Sequence, residues 1–263
     1  MLIPQKLKVL TIHNEHEQIS SNILNYDKVF AISLSVKNNI TTQYPLCNPI
    51  VISNGIVCSK IVTKLRQLSS LFKVVQIGRL VHQQKGQHVL IHAIKLLVDS
   101  YNVKNIRLSI IGCGKSEEYL VKLVNDLGLE PFVVFCGEQS REYVYEHLCD
   151  YDLLVQPSLS EGFGLTIVEA MAAKVPVLVS KLEGPMEVIS QGKYGSYFSP
   201  GEAKECAIKI FDIMSNFTET LSASKIDDAY NYAVENYNIH LTSEKYCLYY
   251  ADTFREINEN TSS

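Results

Sequence analysis

The sequence predicts an α/β protein built on parallel sheets with helices covering both faces. Three observations carry that expectation. Nine short runs of β-type residues recur between Lys8 and Phe198. Helix-length stretches with apolar residues at three- and four-residue spacing stand between them. Beyond about residue 200 the strand-like runs stop and only helical patterns follow. Alternation of this kind is the pattern of parallel sheets packed between helices.

The expected strands are Lys8–Ile12, Lys28–Ile32, Ile50–Ile52, Lys73–Ile77, Arg107–Ile111, Phe132–Phe135, Leu153–Val155, Val175–Val179 and Gly195–Phe198. Two of the intervening helices are marked by Val89, Leu90, Ala93, Ile94 and Leu97, and by Tyr119, Leu120, Leu123, Val124 and Leu127. Pro200-Gly201 signals the start of a helix over Ala203–Ser215, and Lys225–Glu235 and Leu241–Ile257 complete the set. The last carries Tyr246, Leu248, Tyr249, Tyr250 and Phe254, a broad apolar face that needs a partner. A boundary is expected at Ser53-Asn-Gly55 and the weakly patterned stretch to Leu71. Three strands precede it and about six follow, so the second part is a full α/β unit and the first is not.

Bulk composition removes several classes of function. With 263 residues, 46% hydrophobic and 20% charged, the chain can bury a real core. Disorder is expected only at Asn258–Ser263. The formal charge of −4 and the lack of a Lys/Arg run argue against a nucleic-acid partner. No apolar run approaches the roughly 18 residues of a membrane span. Met1-Leu-Ile-Pro4 is followed by Lys6 and Lys8 rather than an apolar core, so no secretory signal is expected. The seven cysteines are odd in number and form no Cys-x-x-Cys pair. They are expected to be free, mostly buried thiols in a reducing cytoplasm.

Three segments carry chemistry. In Ile77-Gly-Arg-Leu80 followed by Lys85-Gly86, the cations Arg79 and Lys85 stand on a loop at the carboxyl end of a strand, where open α/β sheets bind ligands. Two fixed cations suit a diphosphate leaving group, although two solvated surface cations would read the same way. In Ile111-Gly-Cys-Gly114 the glycines permit either a tight turn or a close approach of backbone to ligand. Gly114-Lys-Ser116 is not a phosphate-binding P-loop, because Ser109 stands where that motif needs its first glycine. The third segment, Ser160-Glu-Gly-Phe-Gly-Leu-Thr-Ile-Val-Glu169, follows the strand ending at Val155. Gly162 and Gly164 let amides at a helix start face an anion. Glu161 and Glu169 can accept hydrogen bonds from sugar or ribose diols in one cleft.

Taken together, Gly78-Arg-Leu80 with Lys85-Gly86, Ile111-Gly-Cys-Gly114, Phe135-Cys-Gly137, Pro157-Ser158 with Glu161-Gly-Phe-Gly-Leu165, and Glu169-Ala-Met-Ala172 resemble the retaining glycosyltransferases of family 4. The match runs from about Val29 to Val188, and the two glutamates eight apart are its most specific element. The resemblance implies a GT-B-like fold: one complete Rossmann-like donor domain over 58–240, a partial N-terminal Rossmann-like segment over 1–57 on the acceptor side, and a C-terminal crossover helix and tail over 241–263. It implies that Arg79, Lys85 and the amides of Gly164 and Leu165 hold the donor diphosphate. Glu161, Gly162 and Phe163 would meet the transferred sugar, and Glu169 the ribose. Phe135, Gly137 and Glu138 would flank the base. Val9-Leu-Thr-Ile-His13 resembles a family strand ending in a histidine near the reacting carbon, which makes His13 and Glu161 the catalytic candidates. Ser53-Asn-Gly55 resembles the family's crossover between domains. His82, His88 and His92 acquire no role and are expected on a surface or helix face.

The expected substrate is a nucleotide-diphosphate sugar, UDP-linked in the first instance, with no cofactor and no metal, since two cations and a helix dipole can take the leaving-group charge. The acceptor would be a glycan or lipid-linked hydroxyl in surface-polysaccharide synthesis. The chain would work in the cytoplasm, including at the inner face of the membrane. Most of the family's N-terminal domain has no counterpart here. That leaves an open sheet edge near Lys8–Ile12 in need of cover and admits three explanations: a truncated or non-catalytic sugar-nucleotide-binding subunit, a second polypeptide supplying the missing half, or a start lying upstream. Another GT-B chemistry, such as epimerisation of a nucleotide sugar, is the remaining alternative.

Overall fold

The computed structural model describes residues 7–64, 70–216 and 223–261. The opening Met1–Lys6 lies outside them. All nine expected strands form, in two wholly parallel sheets. β1 (Val9–Ile12), β2 (Lys28–Ala31) and β3 (Ile50–Val51) make a three-stranded sheet in the order β1-β2-β3. β4 (Phe72–Ile77), β5 (Ile106–Ile111), β6 (Val133–Phe135), β7 (Leu153–Gln156), β8 (Val177–Ser180) and β9 (Ser196–Phe198) make a six-stranded sheet in the order β6-β5-β4-β7-β8-β9. β7 and β8 are buried along their whole length, because helices lie on both faces.

The strand order places the functional region. The chain leaves β4 in one direction to build β5 and β6, then crosses back to build β7, β8 and β9 on the other side. β4 and β7 are therefore neighbours whose connections diverge, and a crevice opens outside their carboxyl ends. Arg79 follows β4 and Glu161 follows β7.

Helices cover this sheet. α1 (Leu34–Gln43) belongs to the first sheet, with Ser33 capping its start by accepting from Val36 N–H. α2 (His82–Lys85) is a single turn, so Lys85 stands on a short helix and not in the open loop expected for it. α3 (Gln87–Ser100) turns a strongly apolar face to α8 (Ala203–Ser215). α4 (Glu117–Asp126), α5 (Arg141–His147), α6 (Leu165–Ala172) and α7 (Glu183–Val188) complete the crossovers. α9 (Ala223–Tyr237) packs on α6, and α10 (Ile239–Thr261) runs back to the three-stranded sheet.

The apolar face of α10 finds its partner in Phe30 of β2, which is fully buried. Tyr246, Tyr250 and Tyr249 meet its ring edge-on, with centroids 5.0, 5.9 and 6.2 Å away. Leu248 is exposed instead, and the side chain of Phe254 lies outside the described residues. The Asn258–Ser263 tail, expected to be disordered, is helical as far as Thr261. β1 is an edge strand; α10 touches its face, where the hydroxyls of Thr11 and Tyr246 lie 3.4 Å apart, and no strand covers its outer edge among the described residues. The seven cysteines are free, but only Cys206 is buried, while Cys113 and Cys247 are exposed. The expectation of mostly buried thiols fails because the apolar runs around Cys113 and Cys247 end at a turn and on a solvent-facing helix side. Among the described residues no helix is long and apolar enough to cross a membrane.

The two sheets are tied where the chain passes between them. Ile56 N–H donates to Tyr237 O and Ile239 N–H to Ile56 O, at 2.8 and 2.9 Å. Thr242 Oγ1 donates to Ser53 O. This closeness explains Gly55: a Cβ there would lie 2.6 Å from Ile239 Cα, which is backbone and cannot swing aside. Gly55→Ala is expected to destabilise the chain by about 1–3 kcal/mol through overpacking, read as a lower midpoint in urea unfolding.

Candidate active site

The loops after β4 and β7 meet at the crevice. Gln84 O accepts hydrogen bonds from Leu159 N–H at 2.8 Å and Ser160 N–H at 3.2 Å. Gly86, at φ +63°, lies so near Pro157 O that a Cβ would approach it to 1.8 Å. Only glycine combines that conformation with that contact. The junction carries Lys85 to Glu161. Lys85 Nζ donates to Glu161 Oε2 at 2.5 Å, and both side chains are largely buried. Arg79 is exposed and lines the same small cavity as Lys85, Glu161, Gly162, Asn14 and Glu15.

Gly164 is the N-cap of α6 at φ +101°, and a Cβ there would press Ile167 Cδ1 at 2.5 Å. The glycine thus lets the chain turn sharply from the loop that bears Glu161 into α6, and the first amides of a helix lack partners within it. Phe163 is only 2% exposed, and its ring packs edge-on to Tyr237 at 5.6 Å. Any part it plays toward a sugar is confined to its backbone.

Glu161 and Glu169 lie in contrasting surroundings. Glu169 is 7% exposed, on the inner part of α6. Burial pushes its carboxyl up to about 7, against a smaller downward pull from Arg141, and no hydrogen bond among the described residues offsets the burial. Such a buried, unbonded carboxyl is open to an incoming donor.

The remaining predicted residues divide. His13 is exposed, and its carbonyl stands beside Gly162, where a Cβ would come within 3.4 Å of it. The three-stranded sheet therefore delivers this end of β1 to the Gly-rich loop. Phe135 ends β6 and packs on the core, Gly137 accepts from Gly112 N–H at 2.8 Å, and the exposed Glu138 accepts from Cys113 Sγ at 3.2 Å. They form a separate group at the carboxyl ends of β5 and β6. His82 stacks on Tyr119 at 4.3 Å and meets Ser116 Oγ at 2.9 Å, His88 is half-buried and His92 exposed.

Several site residues were missed in the sequence. Gln156 is 6% exposed and donates from Nε2 to Glu161 Oε2 at 2.8 Å, while its Oε1 accepts from Thr166 Oγ1 at 2.6 Å. A polar residue closing the apolar run Leu153-Leu-Val155 was the available signal. Glu15 accepts from Ser35 Oγ, and burial together with Glu183 and Glu161 raises its carboxyl. It stands in the polar stretch Asn14-Glu-His-Glu17, where nothing marks one residue over another. Ser33, fully buried, donates to Gly162 O at 2.6 Å and so clamps the first sheet onto the Gly-rich loop. Asp150-Tyr-Asp152 is an Asp-x-Asp pattern that the expectation of a metal-free site did not weigh. It precedes β7, at the end of the sheet away from the crevice. Asp150 pairs with Lys64 and His147, and Asp152 accepts from Lys73 N–H.

Comparison with known proteins places this geometry. Residues 60–228 match the model of the family described as glycosyl transferases group 1. The chain belongs to that family. Among its relatives are the uncharacterized glycosyltransferase MJ1607 of Methanocaldococcus jannaschii, 32% identical over 64% of this chain, and the O-antigen chain mannosyltransferase RfbU of Salmonella typhimurium, 30% identical over 76%. The chain spans 44% and 56% of these two relatives. The crystal structure of Anabaena Alr3699/HepE in complex with UDP superposes with a TM-score of 0.79 at 23% identity, over 93% of this chain and 72% of that one. The group 1 fold is thus of the GT-B type, with the six-stranded sheet as its Rossmann-like unit.

Glu169 makes the fold's stability depend on pH. Its carboxyl holds a proton up to about pH 7 when folded, against an ordinary value of 4.5. The folded state therefore binds more protons between those limits, and the destabilisation by the buried charge is absent at the lower limit and complete above the upper one. Glu169→Gln is expected to stabilise the chain by up to about 3 kcal/mol near pH 8 and by little near pH 4.5, as measured by denaturant unfolding at several pH values.

Proposed function

We propose that the chain binds a UDP-sugar at the β4–β7 crevice and serves its transfer, with retention, to a hydroxyl acceptor in surface-polysaccharide synthesis. The observation that carries this is the junction of Arg79, Lys85, Glu161 and Gly162 around one cavity, with Gly162 two residues before the N-cap of α6. Cations and helix amides suit a diphosphate, and carboxylates suit hydroxyls. The UDP held by the Anabaena protein and the O-antigen role in the name of the Salmonella relative support the donor and the setting.

Arg79, Lys85 and the amides of Gly164 and Leu165 take the diphosphate. Glu161 and the backbone at Gly162 and Phe163 take the sugar, Glu169 takes the ribose diol, and Phe135, Gly137 and Glu138 flank the base. His13 enters from the first sheet towards the sugar or the leaving phosphate. As the bond from the anomeric carbon to the phosphate oxygen breaks, Arg79 and Lys85 receive the growing charge. The acceptor oxygen bonds to the same face, and its proton passes to the departing phosphate.

Calorimetry with UDP and UDP-glucose is the direct test, and the reading fails when neither UDP nor any common UDP-sugar binds. Arg79→Ala is expected to weaken UDP about 10- to 100-fold, the loss of one charge-assisted hydrogen bond, and Lys85→Ala by less, because Lys85 must first give up its pairing with Glu161. NMR of the product should show the donor's anomeric configuration; an inverted product would exclude the mechanism. The ionised form of Glu169 is the one that accepts ribose hydroxyls, so UDP affinity should fall as pH drops below about 7. Glu169→Gln should bind UDP more weakly and lose that part of the pH dependence, a comparison that cancels protonation of UDP itself.

A further inference from the structure

Two donors share one oxygen of Glu161. Lys85 Nζ and Gln156 Nε2 both reach Oε2, while Oε1 has no partner among the described residues. The two donors differ in what ligand binding does to them. Lys85 is a cation on a one-turn helix, facing the place assigned to the diphosphate. Gln156 is neutral, is buried, and closes β7, where its backbone pairs with Val179 of β8. Its amide cannot turn over without loss. Thr166 donates to Oε1, and a flipped amide would set a carbonyl oxygen against the Glu161 carboxylate. Thr166 is in turn placed by the first turn of α6, whose sharp entry Gly164 permits.

We propose that Gln156, oriented by Thr166, is a positioning residue that holds the Glu161 carboxylate towards the sugar once a donor diphosphate draws Lys85 away. A neutral donor suits this part: it fixes the direction of the carboxylate and leaves its charge intact beside the anomeric carbon, where positive charge develops. Lys85 alone would hold Glu161 only in the empty site. The inference rests on the donor-site reading above and adds to it two residues outside the resemblance motifs.

The test uses Gln156→Met and Thr166→Val, which keep shape and remove the hydrogen bonds, with Thr166→Ser as the conservative control. Calorimetry gives Kd for UDP and for whichever of UDP-glucose, UDP-galactose and UDP-N-acetylglucosamine the wild type binds best; release of UDP gives kcat and KM. UDP lacks the sugar, so its affinity should stay within about twofold of wild type in every variant. Gln156→Met should lose about five- to tenfold in affinity for the UDP-sugar, one hydrogen bond's worth, and kcat should fall by at least as much wherever turnover is measurable. Thr166→Val should show a smaller loss in the same direction, and Thr166→Ser should restore wild-type values. A Gln156→Met protein that keeps the wild-type ratio of UDP-sugar to UDP affinity overturns the inference. So does one that weakens UDP and UDP-sugar equally, which would mean general damage to the loop. Wild-type protein that binds neither ligand overturns the donor-site reading itself, a failure seen before any variant is made.

Discussion

The candidate site depends on one close approach between two loops. The carbonyl of Gln84 takes two amide hydrogen bonds from Leu159 and Ser160, and Gly86 lies against Pro157 with no room for a side chain. These contacts are between backbones, so they are indifferent to neighbouring side chains and strict about geometry. Because β4 and β7 are adjacent with diverging connections, the two loops are the natural pair to meet there. Their junction puts a cation from one loop beside a carboxylate from the other. Without it Lys85 and Glu161 would be two charged residues on separate strand ends.

The first sheet is joined to this junction at points where a few atoms decide the fit. Ser33 caps α1 and at the same time bonds the carbonyl of Gly162. Glu187, in α7, accepts from Leu34 N–H at 2.8 Å. Farther off, Phe30 and the tyrosines of α10 close the other side. The end of β1 that bears His13 is thereby held next to the Gly-rich loop, by hydrogen bonds near the crevice and by apolar contact away from it. Directional bonds at the site and non-directional burial at the rear give each part the kind of restraint it needs.

How much of this was legible follows from what kind of information each feature uses. All nine strands were readable because each is a short run of β-type residues bounded by turn residues, and the most buried, β7 and β8, are runs of Val and Leu. Arg79, Lys85 and Glu161 stood out because glycines beside them mark close backbone approach, and Glu169 because it follows Glu161 by eight residues. Gln156 and Thr166 were not singled out, since their pairing joins a strand end to a helix start ten residues on and leaves no periodic trace. Glu15 and Ser33 act across 20 to 129 residues of separation, and their neighbourhoods look like ordinary polar loop. Phe163 stands within the site motif yet turns its ring to the core. A motif records which residues lie near a ligand, whereas side-chain direction is settled by packing.

Lys85 and Glu161 already satisfy one another in the empty crevice, so a diphosphate would exchange an existing ion pair for a new one. The net gain from Lys85 is then the difference between two charge-assisted bonds and is smaller than either. Arg79 is in the opposite position: it is exposed and has no ion-pair partner among the described residues, so its attraction for an anion is undiminished. Glu169 tends the other way again, because ribose hydroxyls would supply the hydrogen bonds that its buried carboxyl lacks. The binding energy of a nucleotide in this crevice should accordingly come from Arg79, the start of α6 and Glu169. On the proposed reading Lys85 would serve more to release Glu161 for the sugar than to add affinity, coupling arrival of the phosphate to exposure of the carboxylate that would contact the sugar.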